Sequence, residues 1–191
     1  SPDGRYLAIT ELTTKAGDNR VLLVDLDGID PDEGPVGHGH SAVVELAPHD
    51  DSASVGTPSW LPDSSAFFFS TDVGQEFAGV ARGTPDGTWD YVIHKGWACG
   101  CGIDWRGRHL LVTWNEDGLS RAELRDPLTL EVTAPVPLPG NGVATGFRCS
   151  KDGRYLAFGY SSPLILGDAW RLDTDTQGLD RLTASPGDVD P

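Results

Sequence analysis

The chain has 191 residues and a mass of 20.4 kDa, 38% of it apolar and 23% charged, with 14 Lys+Arg against 29 Asp+Glu for a net charge of −15. That field repels phosphate backbones and anionic lipid headgroups, which argues against nucleic-acid and membrane-surface roles, and no run approaches the ~18 apolar residues of a membrane span. The size suits one domain or part of a larger one, and the absence of Met, position 1 included, points to a processed form or an excised fragment.

Self-similarity organises the chain. The hexapeptide DGRYLA occurs at Asp3 to Ala8 and again at Asp152 to Ala157, with looser copies at Ser59 to Asp72 and Asp104 to Gly118. Anchored on the turn positions Gly4, Ser64, Gly107 and Gly153, the steps are 60, 43 and 46 residues. Two of them fall near the ~40–50 residues of a propeller blade, and the first carries an insertion. That insertion, Gly28 to His40, combines three acids, two prolines and four glycines and reads as a solvated loop.

Each unit after the first reads as four short strands. The second gives VGTPSW, AFFFST, FAGVAR and WDYVIH. The third gives CGCGIDW, HLLVTW, SRAELRD and EVTAPVPL. The fourth gives GVATGFRC, RYLAFGY, GDAWRLD and GLDRLT. The runs are β-branched and aromatic and are bounded by Gly, Pro, Asp and Asn, and no window holds a helical repeat over three turns. The expected fold is all-β: a β-propeller fragment of about four blades of four-stranded antiparallel sheet, at approximately 1–54, 55–98, 99–141 and 142–185. Aligning Ser1 with Ser150 leaves nothing to match GVATGFRC, so the first blade is expected to lack its inner strand. Either four blades close by themselves or others are missing. Residues 186–191 read as a linker.

The SPDG turn followed by an apolar strand resembles the repeat of TolB-type propellers. From about Gly102 onward the series is more specific. "NEDG" in one blade, then "SKDGRYLAF", "SSP" and "DxW" (Asp168-Ala-Trp170) in the next, resembles the propeller of prolyl oligopeptidase-type serine peptidases, the acylaminoacyl-peptidases among them. The resemblance implies a propeller that restricts access of short peptides to a C-terminal α/β-hydrolase domain of the same parent chain, where the catalytic Ser, Asp and His would lie beyond Pro191. By itself this chain is expected to hydrolyse nothing. The competing reading is a TolB-like or WD-repeat-like module that binds a protein partner without an attached enzyme.

Several segments of the chain imitate chemical motifs. The nearest imitation of a G-x-S-x-G nucleophile elbow, Gly118-Leu119-Ser120-Arg121-Ala122, leads into a strand where a helix is required, and Gly159-Tyr160-Ser161-Ser162-Pro163 is weaker still. His38 and His40, near Asp30, Asp32 and Glu33, have metal-ligand chemistry but sit on a Gly-rich loop that reads as a polar insertion. Asp173 to Gly178 imitates a calcium loop, but its twelfth position is Ala184 where a bidentate Glu is required, so a hairpin with Gly178 at positive φ is favoured. Cys99, Cys101 and Cys149 lie among apolar neighbours and read as buried filler. Trp60, Trp89, Trp97, Trp105, Trp114 and Trp170 read as packing between blades. No catalytic residue, cofactor or metal site is therefore assigned. An odd cysteine count and the lack of a visible signal peptide favour a reducing, cytoplasmic setting.

Overall fold

The computed structural model describes residues 1–30, 32 and 37–185. It is all-β apart from one 3₁₀ turn at Leu26–Gly28. The strands are β1 (Tyr6–Leu12), β2 (Asn19–Asp25), β3 (Val43–Leu46), β4 (Ser59–Trp60), β5 (Phe67–Thr71), β6 (Gly79–Gly83), β7 (Trp89–Ile93), β8 (Cys99–Ile103), β9 (Leu110–Glu116), β10 (Leu119–Arg125), β11 (Val132–Pro135), β12 (Val143–Cys149), β13 (Tyr155–Ser162), β14 (Ile165–Asp173) and β15 (Leu179–Arg181). They form one three-stranded sheet, β1-β2-β3, and three four-stranded sheets, β4-β5-β6-β7, β8-β9-β10-β11 and β12-β13-β14-β15, each an antiparallel meander in chain order. The expected fourfold repeat is present, and the first sheet lacks an inner strand. Two compact units divide the chain, Ser1–Cys101 and Gly102–Pro191.

In the first unit, β1 and β2 pair from Tyr6↔Asp25 to Leu12↔Asn19, and alternation sends Val21, Leu23 and Leu46 to one face. There they meet Phe67, Phe69 and Ala81 of the next sheet in one core cluster. Tyr6 stacks on Trp60 with centroids 5.7 Å apart, and Trp60 tilts onto Phe67 at 4.6 Å. Phe67, Phe68 and Phe69 are all fully buried, so both faces of β5 are covered. That explains a continuous apolar run where a one-sided strand would alternate. VGTPSW is a strand only at Ser59–Trp60, with Val55 making an isolated bridge to Thr71. Pro58 has no amide to donate, which accounts for the shortening.

In the second unit, Leu111, Ala122, Leu124 and Val136 pack against Ala144, Leu156, Phe158, Tyr160 and Leu172. The alternation of β13, with Leu156, Phe158 and Tyr160 buried, sends one face into this core.

The four anchor turns share one geometry. The amides of Gly4, Ser64, Gly107 and Gly153 donate to the carbonyl oxygens of Ser1, Leu61, Asp104 and Ser150 at 2.9–3.1 Å, and all four have positive φ, between 59° and 78°. In the two identical copies the cap is also identical. The amides of Tyr6 and Tyr155 donate to the hydroxyls of Ser1 and Ser150, and Arg5 and Arg154 reach across to Asp25 and Asp173.

Candidate functional site

Several of the side chains that the sequence offers for catalytic or ligand chemistry make structural contacts. Ser120, at the start of β10, is buried. Its hydroxyl accepts the Ala144 amide at 2.9 Å and donates to the Ala144 carbonyl at 3.3 Å, while its own amide donates to the Gly142 carbonyl at 2.9 Å. A strand follows it where a nucleophile elbow requires a helix, and its hydrogen bonds hold β12 beside β10. Ser161 and Ser162 end β13, and Ser162 Oγ accepts the Leu164 amide within the hairpin.

The two loop histidines have separate partners. His38 Nε2 lies 2.8 Å from Glu11 Oε2 on β1, and His40 Nδ1 accepts the Ala42 amide at 3.1 Å. Asp30 accepts the Asp32 amide, and Glu33 lies outside the described residues. Among the described residues no three His, Cys, Asp or Glu converge as metal ligands.

The Asp173–Gly178 segment is a turn of hydrogen bonds. Asp173 Oδ1 accepts the amides of Asp175 and Thr176, and its Oδ2 takes Arg154. One expectation is corrected: the positive φ falls on Gln177, at 60°, and not on Gly178. The Gln177 amide donates to the Asp173 carbonyl at 2.8 Å, and its side chain donates to Thr174, which closes the turn one residue early.

Burial sets the thiols. It pushes Cys101 up to about 12, with the neighbouring Cys99 adding to the effect, and Cys149 up to about 11. Cys99 is buried, and its thiol donates to the Trp97 carbonyl. Thiolates are scarce at neutral pH under these conditions, as filler requires. The tryptophans divide. Trp60, Trp89, Trp97 and Trp170 all meet other aromatic rings, whereas Trp105 is 73% exposed on the turn before β9, which corrects the packing expectation for it.

A cleft of about 530 Å³ lies at the hairpin end of the first sheet, between the β1–β2 turn and residues 54–57. Sequence reasoning did not single it out. Thr10, Thr13, Ser54 and Thr57 give it hydroxyls, and Lys15 is its cation, donating to the Asp50 carbonyl at 3.1 Å. Asp18, at its floor, is almost completely buried. It accepts from the Thr13 hydroxyl, the Ala53 amide and His49 Nε2 at 3.1 Å, and these contacts draw its carboxyl down to about 2. The cleft is an open recess of mixed lining, with Leu12 and Val55 beside the hydroxyls. Residues 1–101 carry 16 acids against 5 bases, so an anionic ligand would approach it against the local field.

Comparison with solved structures places this architecture. TolB from Acinetobacter baumannii matches 98% of the chain at TM-score 0.68 and 15% identity. The fold is that of a β-propeller. A puromycin-hydrolyzing peptidase from Mycobacterium tuberculosis matches 96% of the chain at TM-score 0.73 and 17% identity, and prolyl oligopeptidase B from Galerina marginata matches 98% at 0.70 and 12%. The chain spans 43%, 28% and 26% of these three proteins, so it corresponds to less than half of each. No family model and no curated protein matches it. None of the described helices is long and apolar enough to cross a membrane.

Proposed function

We propose that the chain is the non-catalytic, substrate-gating part of the propeller in a prolyl oligopeptidase-type serine peptidase that hydrolyses short peptides. In this reading residues 1–185 are propeller blades, 186–191 lead toward a C-terminal α/β-hydrolase domain of the same parent chain, and the setting is cytoplasmic. The observation that carries it is the placement of the specific sequence series on the repeat. NEDG forms the β9–β10 hairpin, SKDGRYLAF forms the turn and strand that open β13, SSP ends that strand, and Asp168-Ala-Trp170 lies on β14. Peptidases of this kind are among the structures of like fold. Ser120, Ser162, His38, His40 and the Cys99 thiol make structural contacts, which fits a wall.

The second reading, a TolB-like module that binds a protein partner, is favoured by the similarity to TolB itself. One experiment tests the lack of catalysis that both readings share, and a second separates them. A fluorophosphonate probe applied to this chain is expected to leave it unlabelled, and covalent labelling would overturn the gating assignment. Translation of the coding sequence past Pro191 is expected to reach a G-x-S-x-G motif followed by Asp and then His. Further SPDG repeats with no such motif would select the binding module.

A further inference from the structure

The last strand of the second unit is short. β15 has three residues, laddered to Trp170, Arg171 and Leu172 of β14, and so brief a strand at a sheet edge is prone to open. Residues 182–185 follow it with no ladder of their own; Arg181 Nε of β15 donates to the Thr183 carbonyl at 3.1 Å, and their other contacts return to one end of β14. The Leu182 amide donates to the Ala169 carbonyl at 2.8 Å, the Ala169 amide donates to Thr183 Oγ1 at 2.9 Å, and Ser185 Oγ donates to the Gly167 carbonyl at 2.8 Å.

Asp168 stands at the centre of these contacts, and its side chain is wholly buried. Arg181 grips Oδ2 through Nε and Nη2. Oδ1 accepts the Thr183 hydroxyl at 2.8 Å and the Ser185 amide at 2.9 Å, while the Ser185 hydroxyl, whose one proton goes to the Gly167 carbonyl at 2.8 Å, lies 3.2 Å away. Arg181, the Thr183 hydroxyl and the Ser185 amide all face the carboxylate as donors. Only a group with two acceptor oxygens satisfies all of them, and a buried carboxylate is tolerated where such donors surround it.

We propose that Asp168 is a latch: a positioning residue whose charge holds residues 182–185 across the end of β14 and so fixes the direction in which the chain leaves the last sheet. The rival explanation is that the β15 ladder and the Leu182 main-chain bond hold the segment, with Asp168 merely satisfied beside it. The two differ in what an isosteric change does. In Asp168→Asn one oxygen becomes an NH₂ group, which must face either Arg181 or the Thr183–Ser185 donors, setting donor against donor. The latch predicts release of 182–185, and the ladder predicts almost none.

Amide hydrogen exchange and limited trypsin digestion of the 191-residue chain decide between them. In Asp168→Asn the Leu182 and Ser185 amides are expected to exchange at least about tenfold faster and the Arg181–Leu182 bond to become a tryptic site, with β12 and β13 amides unchanged. Protection of both amides within about twofold of the parent chain overturns the proposal. Asp180→Asn, which removes the exposed Arg171–Asp180 pair on β15, is the control; release equal to that of Asp168→Asn would show general edge fraying and also overturn it. If Asp168→Asn unfolds the sheet, a Thr183→Ala/Ser185→Ala double variant, which leaves the Asp168–Arg181 pair intact, must by itself accelerate exchange at residue 185. Unchanged protection there sinks the latch.

Discussion

Asn19 and Val55 exchange two hydrogen bonds: Asn19 Nδ2 donates to the Val55 carbonyl oxygen at 2.8 Å, and the Val55 amide donates to Asn19 Oδ1 at 3.0 Å. Ser120 and Ala144 repeat the arrangement one hundred residues later with a hydroxyl in place of the amide. In both, a side chain at the start of a third-position strand stands in for a backbone partner and docks the opening of the following inner segment. Asn19→Ala and Ser120→Ala should each lose about 1–3 kcal/mol, because each leaves a buried or half-buried backbone amide and carbonyl without partners. Urea titration followed by tryptophan fluorescence measures it, and a loss below about 0.5 kcal/mol in both would remove this docking role.

The repeated turn offers a comparison of strain with crowding. Gly4 and Gly153 have almost the same φ, 78° and 73°, so an alanine pays the same left-handed cost of about 1–2 kcal/mol at either. A Cβ on Gly4 meets nothing within 4 Å, whereas one on Gly153 lies 2.9 Å from Asp104 Oδ1, 3.1 Å from Asp104 Cγ and 3.3 Å from Arg108 Cδ. Gly153→Ala should therefore be clearly more destabilising than Gly4→Ala in thermal melts. Equal losses would mean that the turn moves to admit the methyl group.

Asp18 sets an acid limit on the first unit. Its carboxyl, drawn down mainly by the Thr13 hydroxyl, then by the Ala53 amide and His49, titrates at about 2 when folded and near 3.9 when unfolded. Its contribution is thus complete above about pH 4 and falls away as pH drops toward about 2. The stability gap between the parent chain and Asp18→Asn should close as pH falls from about 4 toward about 2. Denaturant midpoints across that series test it. A gap that widens toward acid would reverse the assignment.

Thiol reactivity follows from burial. With Cys101 pushed up to about 12 and Cys149 up to about 11, neither should be alkylated by iodoacetamide at neutral pH in the folded chain, and all three cysteines should react in denaturant. Mass spectrometry counts the adducts. Native modification of Cys101 would show that its strand opens to solvent.

What the sequence revealed and what it hid have separate physical origins. The Gly4, Ser64, Gly107 and Gly153 turns were legible because a positive φ demands a short list of residues, and the flanking Asp, Pro and Ser repeat the same local hydrogen bonds. Strands such as β9 and β13 were legible by their apolar and β-branched runs between such turns. The Asn19–Val55 and Ser120–Ala144 bridges were not, because each joins segments more than twenty residues apart and nothing local distinguishes them from any polar strand residue. Gly178 attracted the positive φ by its identity, but the Asp173 carbonyl accepts from Gln177 and moved it one position. The exposure of Trp105 depends on which side of its turn faces solvent, which composition does not encode. The cleft beside Lys15 was invisible for the same reason: its walls come from residues forty positions apart.

The first sheet is fastened differently at its two ends. At one, the half-exposed Arg5 reaches Asp25; at the other, the Asn19 side chain bridges Val55 beside the buried Asp18–His49 contact. Mobile ions weaken the former and leave the latter almost untouched. Ionic strength is therefore a directional variable for the first sheet: concentrated salt should weaken the turn bearing Arg5 more than the end bearing Asn19.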